Sequence, residues 1–440
     1  MTSTTRKVLG LVAAAFILGS LDCSGPSNSG SDGGSSGNSG SSSGGASGSS
    51  SGASGSCGTQ VATATAVSAG QYQACAVLTD GSVACWGDNG TYALGNGPLS
   101  DSATAESLVP VMVTGVGTAR AVASGSQQTC ALLADGTVQC WGDNTAGELG
   151  AGATGTCVDP YSGTFSCSKT AVAATGITNA TAVTAGLFIG CALLTGGTVQ
   201  CWGSNAFGQL GIGNYTVTQS DVPVTVSGLS NAQLISTTYS HTCAVIAGGS
   251  IQCWGDNQVG ALGNGTTSGG NAPGPVTGIN SASAVTAGYE FSCALLANGT
   301  VQCWGVNTWG QLGNGTTTDS SVPVQVIGIT NATAVSAGGD DACAILSGGT
   351  VQCWGLNSAG QLGAATAKIC EDNQGDMWPC SSTPITVAGI TSATSISVGQ
   401  DFVCALLHDG RVQCWGLNDH GQLGNGTTID SAAPVTVCGS

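Results

Sequence analysis

The sequence predicts an all-β chain: a disulfide-rich, seven-bladed β-propeller of four-stranded antiparallel blades, with its N- and C-terminal strands closing the ring. Three observations lead there. One pattern recurs seven times: a small-residue strand, C-A-x-L, a glycine turn, V-x-C-W-G and then x-N-x-x-G-x-L-G. Each copy holds two cysteines with nine residues between them. Glycine supplies 73 of 440 residues while charged residues are only 7%, which favours short strands joined by tight turns over long surface helices.

Residues 1–22 read as an export signal, because Arg6 and Lys7 precede an apolar run, 8–18, that is too short to span a bilayer. Gly19-Ser20-Leu21-Asp22-Cys23 resembles a bacterial lipobox, although Ser20 and Asp22 depart from its usual residues. Cys23 is the expected lipidation site, with plain secretion as the alternative. Residues 23–56 are nearly all Ser and Gly and bury nothing. They read as a flexible tether with a root-mean-square span of roughly 30 Å. The propeller takes up 57–440.

Within a repeat the strands follow from composition. The small-residue run 332–337 is a first strand, 343–346 a second and 351–354 a third, and the P-V-x-V run 323–326 is of the fourth kind. A three-residue turn such as Ala134-Asp135-Gly136, with glycine in the left-handed position, sets Cys130 directly opposite Cys140. Trp86, Trp141, Trp202, Trp254, Trp304, Trp354 and Trp415 each follow the second cysteine, and the repeats are 50 to 61 residues apart.

The stretch from Trp304 to Gly313, W-G-V-N-T-W-G-Q-L-G, resembles the signature of the regulator of chromosome condensation repeat family. The resemblance extends over about 57–438. It implies seven four-stranded blades and a partner held on one face. The family's usual His-Ser/Thr survives as His241-Thr242, while equivalent positions hold Gln73, Gln128, Ile189, Phe291, Asp341 and Phe402.

Twenty-one cysteines in an exported chain suggest a disulfide framework with one left over. The hairpin pairs are Cys75–Cys85, Cys130–Cys140, Cys191–Cys201, Cys243–Cys253, Cys293–Cys303, Cys343–Cys353 and Cys404–Cys414. Cys157–Cys167 and Cys370–Cys380 bracket insertions in repeats two and six. Internal alignment brings Cys57 to within about two positions of the place that Cys438 occupies in its repeat, so Cys57–Cys438 is expected to latch the ring. Buried free thiols are the alternative for the hairpin pairs. Zinc is disfavoured by the spacing, and no metal or other cofactor is expected.

Strand parity assigns the Ala-Gly loops and the long loops after W-G to one face, which also receives both insertions. Candidate binding residues on that face are Tyr72, Phe188, Phe207, Tyr239, Tyr289, Glu290, Trp309, Asp340, Asp401 and His420. Exposed aromatic side chains anchor protein interfaces and stack on sugars, although the same rings can simply cap their own blades.

Charge narrows the function. Six Lys plus Arg face 23 Asp plus Glu, a formal net charge of −17, which repels phosphate backbones and anionic lipid. Nucleic acid is excluded as a partner, and membrane contact is expected only through the lipid anchor. The expected partner is a protein with a neutral or basic surface, bound by a monomer in the cell envelope or outside the cell. A carbohydrate-binding propeller is the alternative, and a polysaccharide lyase or hydrolase using Glu290, Asp340, Asp341 or Asp401 a third reading. Only three histidines occur, and repeat geometry brings no two of them together, so no catalytic constellation is expected.

Overall fold

The computed structural model describes residues 63–97, 106–159, 163–366, 368–372 and 374–439. The expected signal, tether, lipidation site Cys23 and latch residue Cys57 lie outside the described residues. Among the described residues there are thirty strands and no helix, and the strands form seven antiparallel sheets.

Each sheet comes from one continuous stretch of chain. Blade one comprises Ala64–Ala69, Gln73–Leu78, Val83–Asp88 and Glu106–Met112, hydrogen-bonded in that order. Blade seven comprises Ala393–Val398, Phe402–Leu407, Val412–Gly416 and Ser431–Thr436. First strands touch first strands around the whole circuit, Ala64–Ala69 meeting both Ala119–Ser124 of blade two and Ala393–Val398 of blade seven. The first and last described strands thus belong to different sheets. Among the described residues the ring shuts by blade one packing on blade seven.

Small residues line the axis for a reason beyond size. Ser68, Thr184, Ser236, Thr286, Ser336 and Ser397 each accept, through the side-chain hydroxyl, a backbone N–H of the next blade at 2.9 to 3.3 Å. The last of these, Ala69 N–H to Ser397 Oγ at 2.9 Å, crosses the closing seam. Blade two has Ala123 at this position and no hydroxyl to offer.

The second and third strands pair in the expected register, with Cys75 opposite Cys85 and Cys130 opposite Cys140. All seven hairpin pairs are disulfides, with Cα atoms 4.0 to 4.1 Å apart. Each closes a short loop, so each restricts the unfolded chain by at most about 3 kcal/mol in the chain-entropy account. Cys157–Cys167 and Cys370–Cys380 are bonded as well. Cys438 is also disulfide-bonded.

The two bracketed insertions are more ordered than loops. Gly155–Asp159 pairs with Gly163–Ala173, and Lys368–Glu371 with Met377–Thr386. Blades two and six therefore carry a fifth strand.

The core lies between blades. In one layer Cys75, Val77, Val83, Cys85 and Leu94 of blade one pack against Ala131, Leu133 and Trp141 of blade two. The same layer at the closing seam joins Ala74, Ala76 and Trp86 of blade one to Phe402, Cys404, Leu406 and Leu423 of blade seven.

Candidate interaction face

The repeated W-G-x-N-x-x-G-x-L-G motif builds the platform of the loop face. Each asparagine accepts, through Oδ1, the backbone N–H of the leucine five residues on, from Asn89 with Leu94 to Asn418 with Leu423, at 2.8 to 3.2 Å. Each buried tryptophan donates its indole N–H to a carbonyl in the preceding blade's loop, at 2.8 to 2.9 Å in all seven cases. The glycine after that leucine must stay bare. A Cβ on Gly424, where φ is +62°, would stand 2.8 Å from the Trp86 ring.

The glutamine of G-Q-L-G joins the two loops of the face. Gln209, Gln311, Gln361 and Gln422 each accept, through Oε1, the backbone N–H two residues earlier, at Phe207, Trp309, Ala359 and His420. Through Nε2, Gln311 donates to Asp340 and Gln361 to Asp401, both in the next blade's short loop. Long and short loops therefore lie on one face, as strand parity predicts.

On that platform the candidate residues form a polarised rim. Phe207, Tyr239 and Tyr289, from blades three, four and five, make a continuous aromatic arc with ring centroids 6.3 and 4.8 Å apart. Tyr239 and Tyr289 also share a side-chain hydrogen bond, while burial and the nearby Glu290 carboxylate push the Tyr239 hydroxyl's pKa up. Asp340 and Asp401 continue the rim through blades six and seven. Tyr72 then packs against His420 across the closing seam, with ring centroids 5.1 Å apart and planes tilted by 53°. Burial, followed by the charge of Asp401, raises the Tyr72 pKa. His420 stands 3.7 Å from Glu106 and 3.9 Å from Asp419. Phe188 is half-buried in the blade-three short loop.

One expected anchor lies elsewhere. Trp309 is only 3% exposed and packs with Leu356 and the Cys370–Cys380 disulfide. The blade-six hairpin folds over it, and its sequence position in a long loop gave no sign of that cover.

Three buried ionisable groups have different fates. His241 donates or accepts through Nε2 at 2.8 Å from Ser292 Oγ, and full burial lowers its pKa to about 4, so it is a neutral structural residue. Glu148 occupies the glutamine position in blade two, and burial raises its pKa to about 8. Asp341 is fully buried with neither carboxyl oxygen hydrogen-bonded, and burial raises its pKa well above the ordinary value. Among the described residues no three His, Cys, Asp or Glu side chains group as metal ligands.

Comparison with known proteins agrees with this architecture. The sequence profile described as Regulator of chromosome condensation (RCC1) repeat matches residues 80–132, 196–245, 249–295, 298–345, 348–406 and 409–440. A human protein, E3 ubiquitin-protein ligase HERC2, is 30% identical over 202 residues, 44% of this chain and 4% of that one. The Ultraviolet-B receptor UVR8 of Arabidopsis thaliana is 28% identical over 178 residues, 40% of this chain and 37% of the receptor. The chain thus spans well under half the length of either relative. The crystal structure of yeast RCC1 (Prp20), solved with Kap60 bound, superposes with a TM-score of 0.68 at 20% identity, covering 80% of this chain and 83% of the yeast one.

Proposed function

The chain belongs to the Regulator of chromosome condensation (RCC1) repeat family, and from that premise we propose that it is an exported, membrane-tethered protein-binding propeller whose loop face holds the partner. The observation that carries this reading is the aromatic arc of Phe207, Tyr239 and Tyr289. Large rings with one polar handle give contact area at low entropic cost, which is why they recur as anchors at interfaces. The acidic charge of the chain favours a neutral or basic partner surface. Export is supported by nine disulfides among the described residues, a density suited to an oxidising compartment. The apolar run behind Arg6 and Lys7 and the Ser/Gly-rich 23–56 support the anchor. The yeast relative with Kap60 bound is a precedent for a protein partner on this fold.

A second reading rests on the Tyr239–Tyr289 pair, whose adjoining rings could stack on a sugar. One experiment separates the two. The disulfide-intact protein and a Tyr239→Ala, Tyr289→Ala variant are used in parallel as baits for envelope and secreted proteins and on a glycan array. A protein retained at least tenfold less by the variant is the expected result. Selective glycan binding lost in the variant establishes the sugar reading, and protein retention that ignores both substitutions overturns the assigned face.

A further inference from the structure

A second place on the molecule is built to receive a partner, separately from the aromatic arc. Six of the seven fourth strands carry proline on the outer side of their blades: Pro110, Pro223, Pro273, Pro323, Pro384 and Pro434. Proline removes a ladder donor and blunts an edge against further pairing. Lys368–Glu371, the outermost strand of blade six, has none.

The backbone direction of this strand can be read from its neighbour. Ile369 lies opposite Pro379, which has no N–H to give, and the Pro379 carbonyl is taken on its inner side by Asn357 N–H at 2.8 Å. Pro379 therefore faces the blade. In an antiparallel ladder the residue opposite it, Ile369, points its own N–H and C=O outwards, and Glu371, two residues on, does the same.

The side chains around this edge are of two kinds. Ile369 and Met377 are 53% and 65% exposed. By strand alternation they stand, together with Glu371, on the face opposite Cys370. The other kind is acidic. Glu371 lines a cleft of about 330 Å³ with Thr308, Thr317, Thr318 and Asp319 of the blade-five loop, and Asp372 and Asp376 stand at the hairpin turn. The one cation of the hairpin, Lys368, is turned to Ser382 Oγ at 2.7 Å. The Cys370–Cys380 disulfide, seated on Trp309, holds the edge in place before any ligand arrives.

We propose that the open edge of Lys368–Glu371 accepts an extended segment of a partner protein that carries apolar and basic side chains two residues apart, on the same side. The segment adds a strand to blade six. Its apolar side chains cover Ile369 and Met377, and an ammonium or guanidinium group two residues on meets Glu371 at the mouth of the cleft that Glu371 shares with Asp319. Backbone pairing supplies affinity and the alternate side chains supply selection.

The probe is a fluorescent ten-residue peptide with valine and lysine in turn at every second position and threonine between them, added to the full, disulfide-intact chain and followed by anisotropy and by hydrogen exchange. Saturable binding with slowed exchange at the amides of residues 369 and 371 is expected. Ile369→Pro deletes the outward N–H without touching a hairpin bond and should weaken binding at least tenfold. Asp319→Asn with Glu371→Gln, both at exposed positions, should do the same and flatten the salt dependence. Val158→Pro, on the corresponding strand of blade two, and the Tyr239→Ala, Tyr289→Ala variant should bind the peptide as the parent does. Binding that survives Ile369→Pro, falls equally with Val158→Pro, or leaves exchange at 369 and 371 unchanged overturns the proposal.

Discussion

Trp86 of blade one donates its indole N–H to the carbonyl of Gln422 in blade seven at 2.9 Å, a bond between residues 336 positions apart. The same bond recurs at every blade boundary, for instance from Trp254 to Gln209 at 2.9 Å, but only here does it join the two ends of the chain. Trp86→Phe leaves a buried carbonyl without its donor, a cost of about 1–3 kcal/mol before any loss of packing. Trp354→Phe, which takes the indole donor from the Gln311 carbonyl, carries a similar equilibrium cost. The two should differ in where the protein opens. With Trp86→Phe, hydrogen exchange should quicken first in Ala64–Ala69 and Ala393–Val398, whereas uniform acceleration in all seven blades would show that the seam is no weaker than the other boundaries.

Asp341 makes the fold sensitive to pH. Its ring of equivalents is filled by groups that fit: Gln73 and Gln128 donate through Nε2 to the carbonyls of Gly125 and Gly186 in the next blade, and His241 meets Ser292. Blade seven has Val403 where Ser292 stands, so Asp341 finds no such hydroxyl. The folded pKa is raised, so the folded chain holds a proton that the unfolded chain releases once pH passes the ordinary value of 3.8. Stability therefore falls as pH rises above that value, until the folded group itself ionises. Asp341→Asn removes this slope. In denaturant unfolding at several pH values the variant should gain on the parent from pH 4 upwards and show no advantage below it.

Glu148 offers the same test in a defined window. Its pKa rises from 4.5 to about 8, with burial the main cause and Asp143 the next. Stability is again lost as pH climbs through that range, because only the unfolded chain gives up its proton there. Glu148→Gln restores the residue found at Gln209, Gln311, Gln361 and Gln422, keeps the bond from Ala146 N–H and carries no titrating group. At pH 7 the variant should be more stable by about 1–3 kcal/mol. Equal unfolding midpoints at pH 7 would refute the assignment.

The fold was legible because its determinants are local and repeated. Nine residues between cysteines and a three-residue turn force Cys130 opposite Cys140, and seven tryptophans at one offset announce seven boundaries. The closing seam was harder. The resemblance of the two ends told that they meet, but which strands touch across the seam depends on packing between blades, and that is not written in a repeat. Trp309 shows the other limit. Its offset matches Phe207 and His420, yet an insertion some sixty residues later folds back over it, and no local pattern carries that contact. Exposure of Ile369 and Met377 was invisible for the same reason, since a short apolar residue in a strand looks alike whether covered or bare.

The cover on Trp309 can be removed without touching the rest of the ring. Cys370→Ser with Cys380→Ser frees a hairpin whose disulfide spans a sequence separation of 10 and packs directly on the indole. In the chain-entropy account that staple is worth at most about 3 kcal/mol, or roughly a hundredfold in a local opening equilibrium. Because Lys368–Glu371 is the outermost strand of its sheet and pairs there with Met377–Thr386, the loss should stay local. Amide exchange at 368–371 should accelerate by up to that factor while the global unfolding midpoint moves little. The tryptophan emission assigned to residue 309, taken as the difference from a Trp309→Phe background, should shift to the red and become open to quenching by acrylamide. If that emission stays blue and protected, the indole owes its burial to Leu356 and its own blade, and the hairpin is not its cover.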